Sequence, residues 1–101
     1  MEIEYDPAKN IRNIADRGLS FERVRDLDWN KTLVIQDRCK DYAEPRFQAL
    51  GPIQGRLHVV IFTVRGVALR VISLRKANVR EVAQYEKTGS RIIRCRQPGM
   101  E

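Results

Sequence analysis

The chain has 101 residues, of which 43% are hydrophobic and 32% charged, with a formal net charge of +6. That length holds one domain with a single modest core, and the composition excludes a disordered chain. No apolar run approaches a membrane span and the N-terminus lacks a basic-then-apolar leader, so a cytoplasmic protein is expected.

Glu2 to Tyr5 alternates like a short edge strand. Asp6-Pro7 reads as N-cap and first helical position, predicting a helix over Ala8 to Asp16 that Gly18 ends in the left-handed conformation. Its apolar stripe is Ala8, Ile11, Ile14 and Ala15. Ser20 caps a second helix to about Asp26, with Phe21 and Val24 inward, and the two helices are expected to cover one face of a sheet.

Lys31 to Gln36 reads as a strand, Asp37 to Glu44 as a polar loop, and Arg46 to Gly51 as a second strand before a turn over Pro52 to Gly55. The stretch Arg56 to Arg75 is a hairpin rich in β-branched residues. A two-residue loop at Arg65-Gly66 sets Val64 opposite Val67 and Phe62 opposite Leu69. The same register sets Arg56 opposite Arg75, a like-charge pair that calls for an anion or carboxylate between them, or for both side chains splaying into solvent. Asn78 and Glu81 form a capping-box pattern for a helix over Val79 to Lys87, ended by Gly89. The expected fold is α+β: two N-terminal helices and a C-terminal helix on a four-stranded antiparallel sheet, with residues 1–89 as one domain and 90–101 as a basic tail.

Charge is uneven along the chain. Residues 1–45 hold eight Lys/Arg against ten Asp/Glu, and residues 46–101 hold eleven against three. Fourteen of the basic residues are Arg, whose planar fork suits bidentate phosphate contacts. A basic half of this kind points to nucleic acid or to an acidic protein partner. Cys39 and Cys95 have no metal-ligand spacing and the chain has a single His, so both are read as structural free thiols and no metal or cofactor is expected. No Gly-rich phosphate loop, paired-carboxylate motif or nucleophile elbow is present.

Tyr5-Asp6-Pro7-Ala8-Lys9-Asn10, Asn13 and Gly18-Leu19-Ser20-Phe21 resemble the opening pattern of the BrnT toxins. Arg46 to Gly51, Gly55-Arg56-Leu57, Val59-Val60, Phe62 to Gly66, Arg70 to Ser73, Arg75 and Tyr85 are similar to the remainder. The resemblance covers about residues 3 to 87. It implies a fold like that of the RelE ribonucleases and a type II toxin whose metal-independent RNA cleavage arrests translation. It also implies a BrnA-type antitoxin that binds the toxin directly and represses the shared promoter, so that promoter DNA is met only through the antitoxin. The chain departs from the family in one place: members typically carry His-Gly where Arg17-Gly18 stands. Arg can bind phosphate there but stays charged, so it is unsuited to general-base duty.

Within that resemblance, Arg46, Arg70 and Arg75 are the leading phosphate ligands; the alternative for each is a surface arginine or an ion pair with Glu81 or Glu86. His58, the one side chain with an ordinary pKa near neutrality, and Tyr85, a possible donor to the leaving oxygen, complete the candidate catalytic set; packing on the sheet is the plain alternative for both. Lys9, Arg17, Arg56 and Arg65 are candidate RNA-binding cations. Tyr5, Trp29, Tyr42 and Phe47 are candidate stacking residues or core. A non-catalytic module that binds nucleic acid or an antitoxin is the competing reading.

Overall fold

The computed structural model describes residues 2–37 and 45–88. The chain runs β1 (Glu2–Tyr5), α1 (Pro7–Arg17), two 3₁₀ helices (Phe21–Asp26 and Trp29–Lys31), β2 (Leu33–Asp37), β3 (Arg46–Ile53), β4 (Arg56–Arg65), β5 (Ala68–Lys76) and α2 (Val79–Thr88). Cys39, Tyr42, Gly89, Cys95 and the basic tail lie outside the described residues.

The local start and stop signals act as the sequence indicates. Asp6 accepts from the Ala8 amide at 2.9 Å, Pro7 opens α1, and Gly18 adopts φ +68° while its amide returns to the Ile14 carbonyl at 2.8 Å. Ser20 caps the first 3₁₀ helix through the Glu22 amide. The Asn78–Glu81 capping box is complete, each side chain accepting from the other's amide at 2.9 Å.

The sheet differs from the expectation. It has five strands in the order β1-β5-β4-β3-β2, and it is mixed because β1 runs parallel to β5. The antiparallel meander β2 to β5 is as expected; the added strand pairs Glu2–Tyr5 with Ala68–Val71, a partner more than sixty residues away that no local pattern reveals. β1 covers only the first half of β5, and α1 takes over along the rest. There Asn13, the one buried residue of α1, donates to the Leu74 carbonyl at 3.0 Å and to the Leu19 carbonyl at 2.9 Å. Asn13 thus occupies hydrogen-bonding capacity that the uncovered edge would leave open. The apolar stripe of α1 is turned outward, with Ile11 67% and Ile14 44% exposed.

Both hairpins turn one or two residues later than expected. Gln54 and Gly55 form the β3–β4 turn with φ +51° and +81°, so β3 continues through Pro52 to Ile53. Pro52 is tolerated because its carbonyl accepts from Asp28 on the side away from β4, where its missing N–H also points. In the β4–β5 hairpin the loop is Gly66-Val67 and Arg65 pairs with Ala68. The glycine takes the positive φ at the first loop position, and the loop set one residue later moves each cross-strand partner by two residues. A bulge then shifts it again: Phe62 pairs with Val71, and Ile61 with Ser73. Arg56 consequently faces Ile53 and Arg75 faces Val59, so the expected arginine pair does not form.

The sheet is covered on two faces. One carries Ala49, Ile53, Val60, Phe62, Val71 and Leu74 beneath Leu19, Phe21, Val24 and Leu27. The other carries Leu33, Leu50 and Val59, covered by Ala77 and by Val82 and Tyr85 of α2. Strand alternation keeps these two sets apart. No described helix is long and apolar enough to cross a membrane.

Candidate functional site

The register assigns the arginines to faces. Phe47 stacks on Phe62 at 5.5 Å in the first core, so Arg46 belongs to the face that carries α2. Arg70 pairs with Thr63, and Arg75 with Val59; both fall on that same face, with Ser73 between them opposite Ile61. The bulge is what keeps them together: without the extra residue, Arg70 and Arg75 would lie on opposite sides of β5. Thr63 and Ile61 of β4 lie between the arginines of β3 and β5, Gln48 sits beside Arg46 on β3, and β1 adds Glu4 beside Arg70.

Each arginine of β5 has a carboxylate. Arg70 Nη1 lies 3.4 Å from Glu4 Oε1, and both side chains are partly open to solvent. Arg75 makes a two-pronged pair with Glu81, at 2.7 and 2.6 Å, while the Glu81 side chain is only 5% exposed. Hydrogen bonding to Glu81 holds the Arg75 pKa above its ordinary value. Arg75 is therefore oriented by the start of α2, and Arg70 sits in the looser, wetter pair.

Beside this face, α1 and β5 enclose a cleft of about 210 Å³ lined by Lys9, Arg12, Asp16, Arg17, Ile72 and Ser73, with Asn13 and Phe21 also on its wall. Arg17 Nη1 lies 3.5 Å from the Ser73 hydroxyl. The structure thus joins Arg17 to the strand that carries Arg70 and Arg75, and Lys9 lines the same cleft. Arg56 and Arg65 stand at opposite ends of β4, roughly 30 Å apart at about 3.3 Å per residue, so a single phosphate cannot engage both.

His58 and Tyr85 have other surroundings. His58 is 2% exposed, and its Nδ1 lies 2.7 Å from the Arg56 carbonyl, which fixes the proton on Nδ1 in the neutral ring. Burial lowers its pKa, and Arg23, Arg56 and Lys76 add to that direction. Tyr85 packs on the second core and donates its hydroxyl to the Lys31 carbonyl. The ring of Trp29 meets Phe62 edge-on at 5.9 Å, and Tyr5 meets Phe21 at 5.6 Å, so the candidate stacking residues among the described ones are packed against the core. Among the described residues, no three His, Cys, Asp or Glu side chains group in a way that could hold a metal ion.

A larger groove of about 680 Å³ lies between the β3–β4 turn and α2, lined mainly by Pro52, Leu57, Ala77, Val79, Val82 and Ala83. Its wall is mainly apolar, with Arg56, Asn78, Tyr85 and Glu86 also lining it, whereas the α1–β5 cleft and the adjoining sheet face bring several guanidinium groups together. Guanidinium groups are the side chains suited to phosphate contacts. Residues 5–81 match the family model of the ribonuclease toxin BrnT of type II toxin–antitoxin systems. The chain belongs to the BrnT family. Membership brings an RNA substrate and an antitoxin partner with it, and the matched span runs from the end of β1 to Glu81, the partner of Arg75. No curated protein matches the chain.

Sequence reasoning did not single out Glu4, Arg12 or Ser73. Glu4 reaches this face only through the parallel β1–β5 pairing, and Ser73 only through the bulge. Arg12 carried a signal, since it lies off the apolar stripe of α1 on the side of Lys9 and Asp16.

Proposed function

We propose that this BrnT toxin is a metal-independent endoribonuclease that cuts RNA on the β5 face and arrests translation in the cytoplasm, on a RelE-like scaffold. We assign the scissile phosphate to Arg46, Arg70 and Arg75, and the neighbouring backbone to Arg17, Lys9 and Ser73. Arg65, two residues beyond Thr63 on the face that carries Arg70, serves the RNA backbone beside it; Arg56 lies at the opposite end of β4. The observation that carries this reading is the register that sets Arg46, Arg70 and Arg75 on one face, beside the Arg17–Ser73 contact.

Cleavage without a metal requires a base for the ribose 2′-hydroxyl, countercharge for the phosphate as its oxygens gain charge, and a proton for the departing 5′-oxygen. Guanidinium groups fixed by neighbouring carboxylates meet the second need, because they are oriented before the charge develops. Arg75, held by Glu81, has that fixed geometry. We assign the first need to the Glu4 carboxylate, which lies against Arg70 and is partly open to solvent, and the third to a water molecule from that open face, which protonates the departing 5′-oxygen. In this reading His58 and Tyr85 serve the fold: one is buried and neutral, the other is tied to Lys31. Arg17 binds phosphate where other members carry His, and the base lies elsewhere. The cognate antitoxin is of the BrnA type, and contact with promoter DNA runs through it.

The test is cleavage of a labelled single-stranded RNA by the purified chain in excess chelator, with Arg70→Ala and Glu4→Gln as controls. Cleavage that survives chelation and fails in both variants supports the reading. An intact RNA with wild-type protein of confirmed fold, on and off the ribosome, favours the non-catalytic module.

A further inference from the structure

α1 is built with its polar side inward. Asn13 is its buried residue, and Asn10 next to it accepts from the Phe21 amide at 2.8 Å. Ala8, Ile11, Ile14 and Ala15 are all exposed, with Ile11 67% and Ile14 44% open. Their spacing of three and four makes one continuous stripe along the helix rather than scattered apolar residues. Single exposed isoleucines are ordinary, but a contiguous apolar stripe on a small basic domain marks an interaction surface.

Charge indicates what covers it. Arg12 flanks the stripe, Asp16 and then Lys9 lie further round, and Arg17 at the helix end reaches Ser73 on the proposed catalytic face, so three cations outnumber one carboxylate along this side. RNA satisfies those cations but leaves the isoleucines in water. A second copy of the chain buries the isoleucines but, across a two-fold interface, brings together two sets of Lys9, Arg12 and Arg17, with Asp16 the one carboxylate among the residues lining that cleft, on molecules of net charge +6. A protein segment with apolar residues at helical spacing and acidic residues alongside satisfies both.

We propose that the outer face of α1 seats an acidic amphipathic segment of the antitoxin, with Ile11 and Ile14 as anchors and Lys9 and Arg12 as the charged margin. A segment lying there covers the mouth of the α1–β5 cleft, so antitoxin and RNA compete for Arg17. This rests on the toxin reading for the partner's existence, but its test does not depend on catalysis.

The measurement is the Kd of the purified full chain for its cognate antitoxin, for the parent, Ile11→Asp, Ile14→Asp, the double variant and Lys9→Glu/Arg12→Glu. Both isoleucines are exposed, so unchanged thermal unfolding is expected and is checked first. Each single Ile→Asp change weakens binding about tenfold or more and the double change about a hundredfold. The charge reversal weakens binding and flattens its salt dependence. Binding of RNA by Ile11→Asp/Ile14→Asp, measured without antitoxin, stays within about twofold of the parent. Loss of antitoxin affinity in a chain that cleaves no RNA supports the docking surface and overturns only the nuclease reading. Antitoxin affinity within about twofold of the parent in the double variant overturns the proposal. So does a dimer of the isolated chain that the same substitutions dissociate.

Discussion

Replacing Asn13 with Ala removes the contact that ties α1 to the open edge of β5. The Asn13 amide nitrogen gives one hydrogen to Leu19 O and the other to Leu74 O, at 2.9 and 3.0 Å, and both bonds are buried. Leaving a buried acceptor unsatisfied costs about 1–3 kcal/mol, so losing both bonds destabilises by roughly 2–4 kcal/mol, allowing for partial relaxation. In a domain near 100 residues each kcal/mol lowers Tm by about 4–8 °C, which predicts a fall of roughly 8–32 °C. Thermal and urea unfolding followed by circular dichroism read this directly. Asn13→Asp keeps the size but turns an acceptor toward two carbonyls, so it is expected to be at least as harmful. A loss below about 1 kcal/mol in Asn13→Ala, with an unchanged m-value, refutes the idea that this amide holds the helix to the sheet.

Four further outcomes follow from contacts in the fold. A Cβ on Gly51 would stand 2.1 Å from Thr32 Oγ1 and 3.1 Å from Thr32 Cα, so Gly51→Ala must displace Thr32 from its 2.7 Å bond to Asp28 O; it costs about 1–3 kcal/mol in urea unfolding. Arg70→Ala and Arg75→Ala separate function from stability: removing Arg70 from its exposed pair costs at most about 1 kcal/mol, whereas Arg75→Ala strands the buried Glu81 carboxylate and costs about 1–3 kcal/mol, with the partly exposed guanidinium counted at a discount. Both are expected to abolish RNA cleavage, so parent-like cleavage by either contradicts its role. The folded-state pKa of His58 is below the unfolded value, so the unfolded chain takes up the proton first; stability is full above about pH 6.5 and declines as pH falls toward the lower folded value. Urea midpoints from pH 7.5 to 5 measure this, and His58→Phe should flatten that part of the profile.

The features that were legible in the sequence are those a few neighbouring residues decide. Asp6-Pro7, Gly18 and the Asn78–Glu81 box each close a hydrogen bond within four residues, and all appear as read. The meander β2 to β5 followed from β-branched runs and short connections. What failed depends on distant partners or on a single-residue count. The β1–β5 pairing and the Asn13–Leu74 bond join residues more than sixty apart, and those two contacts decide that α1 lies along an edge with its apolar stripe outward. The turn at Gly66-Val67 lies one residue beyond the position inferred, which removed the Arg56–Arg75 pairing entirely. In the site, the sequence offers an ion pair with Glu81 or Glu86 as the alternative for each arginine, and Arg75 meets Glu81. Glu4 and Ser73 were not visible, because one depends on the parallel strand and the other on the bulge.

The arginine face of β5 is proposed to cut RNA. The most direct measurement is single-turnover cleavage of a labelled single-stranded RNA by the purified chain in excess chelator, comparing parent with Arg70→Ala. Cleavage by the parent that chelator does not diminish is expected, with a loss of about 10²-fold or more in the variant at unchanged Tm. Cleavage of equal rate in both proteins would contradict that role of the β5 face.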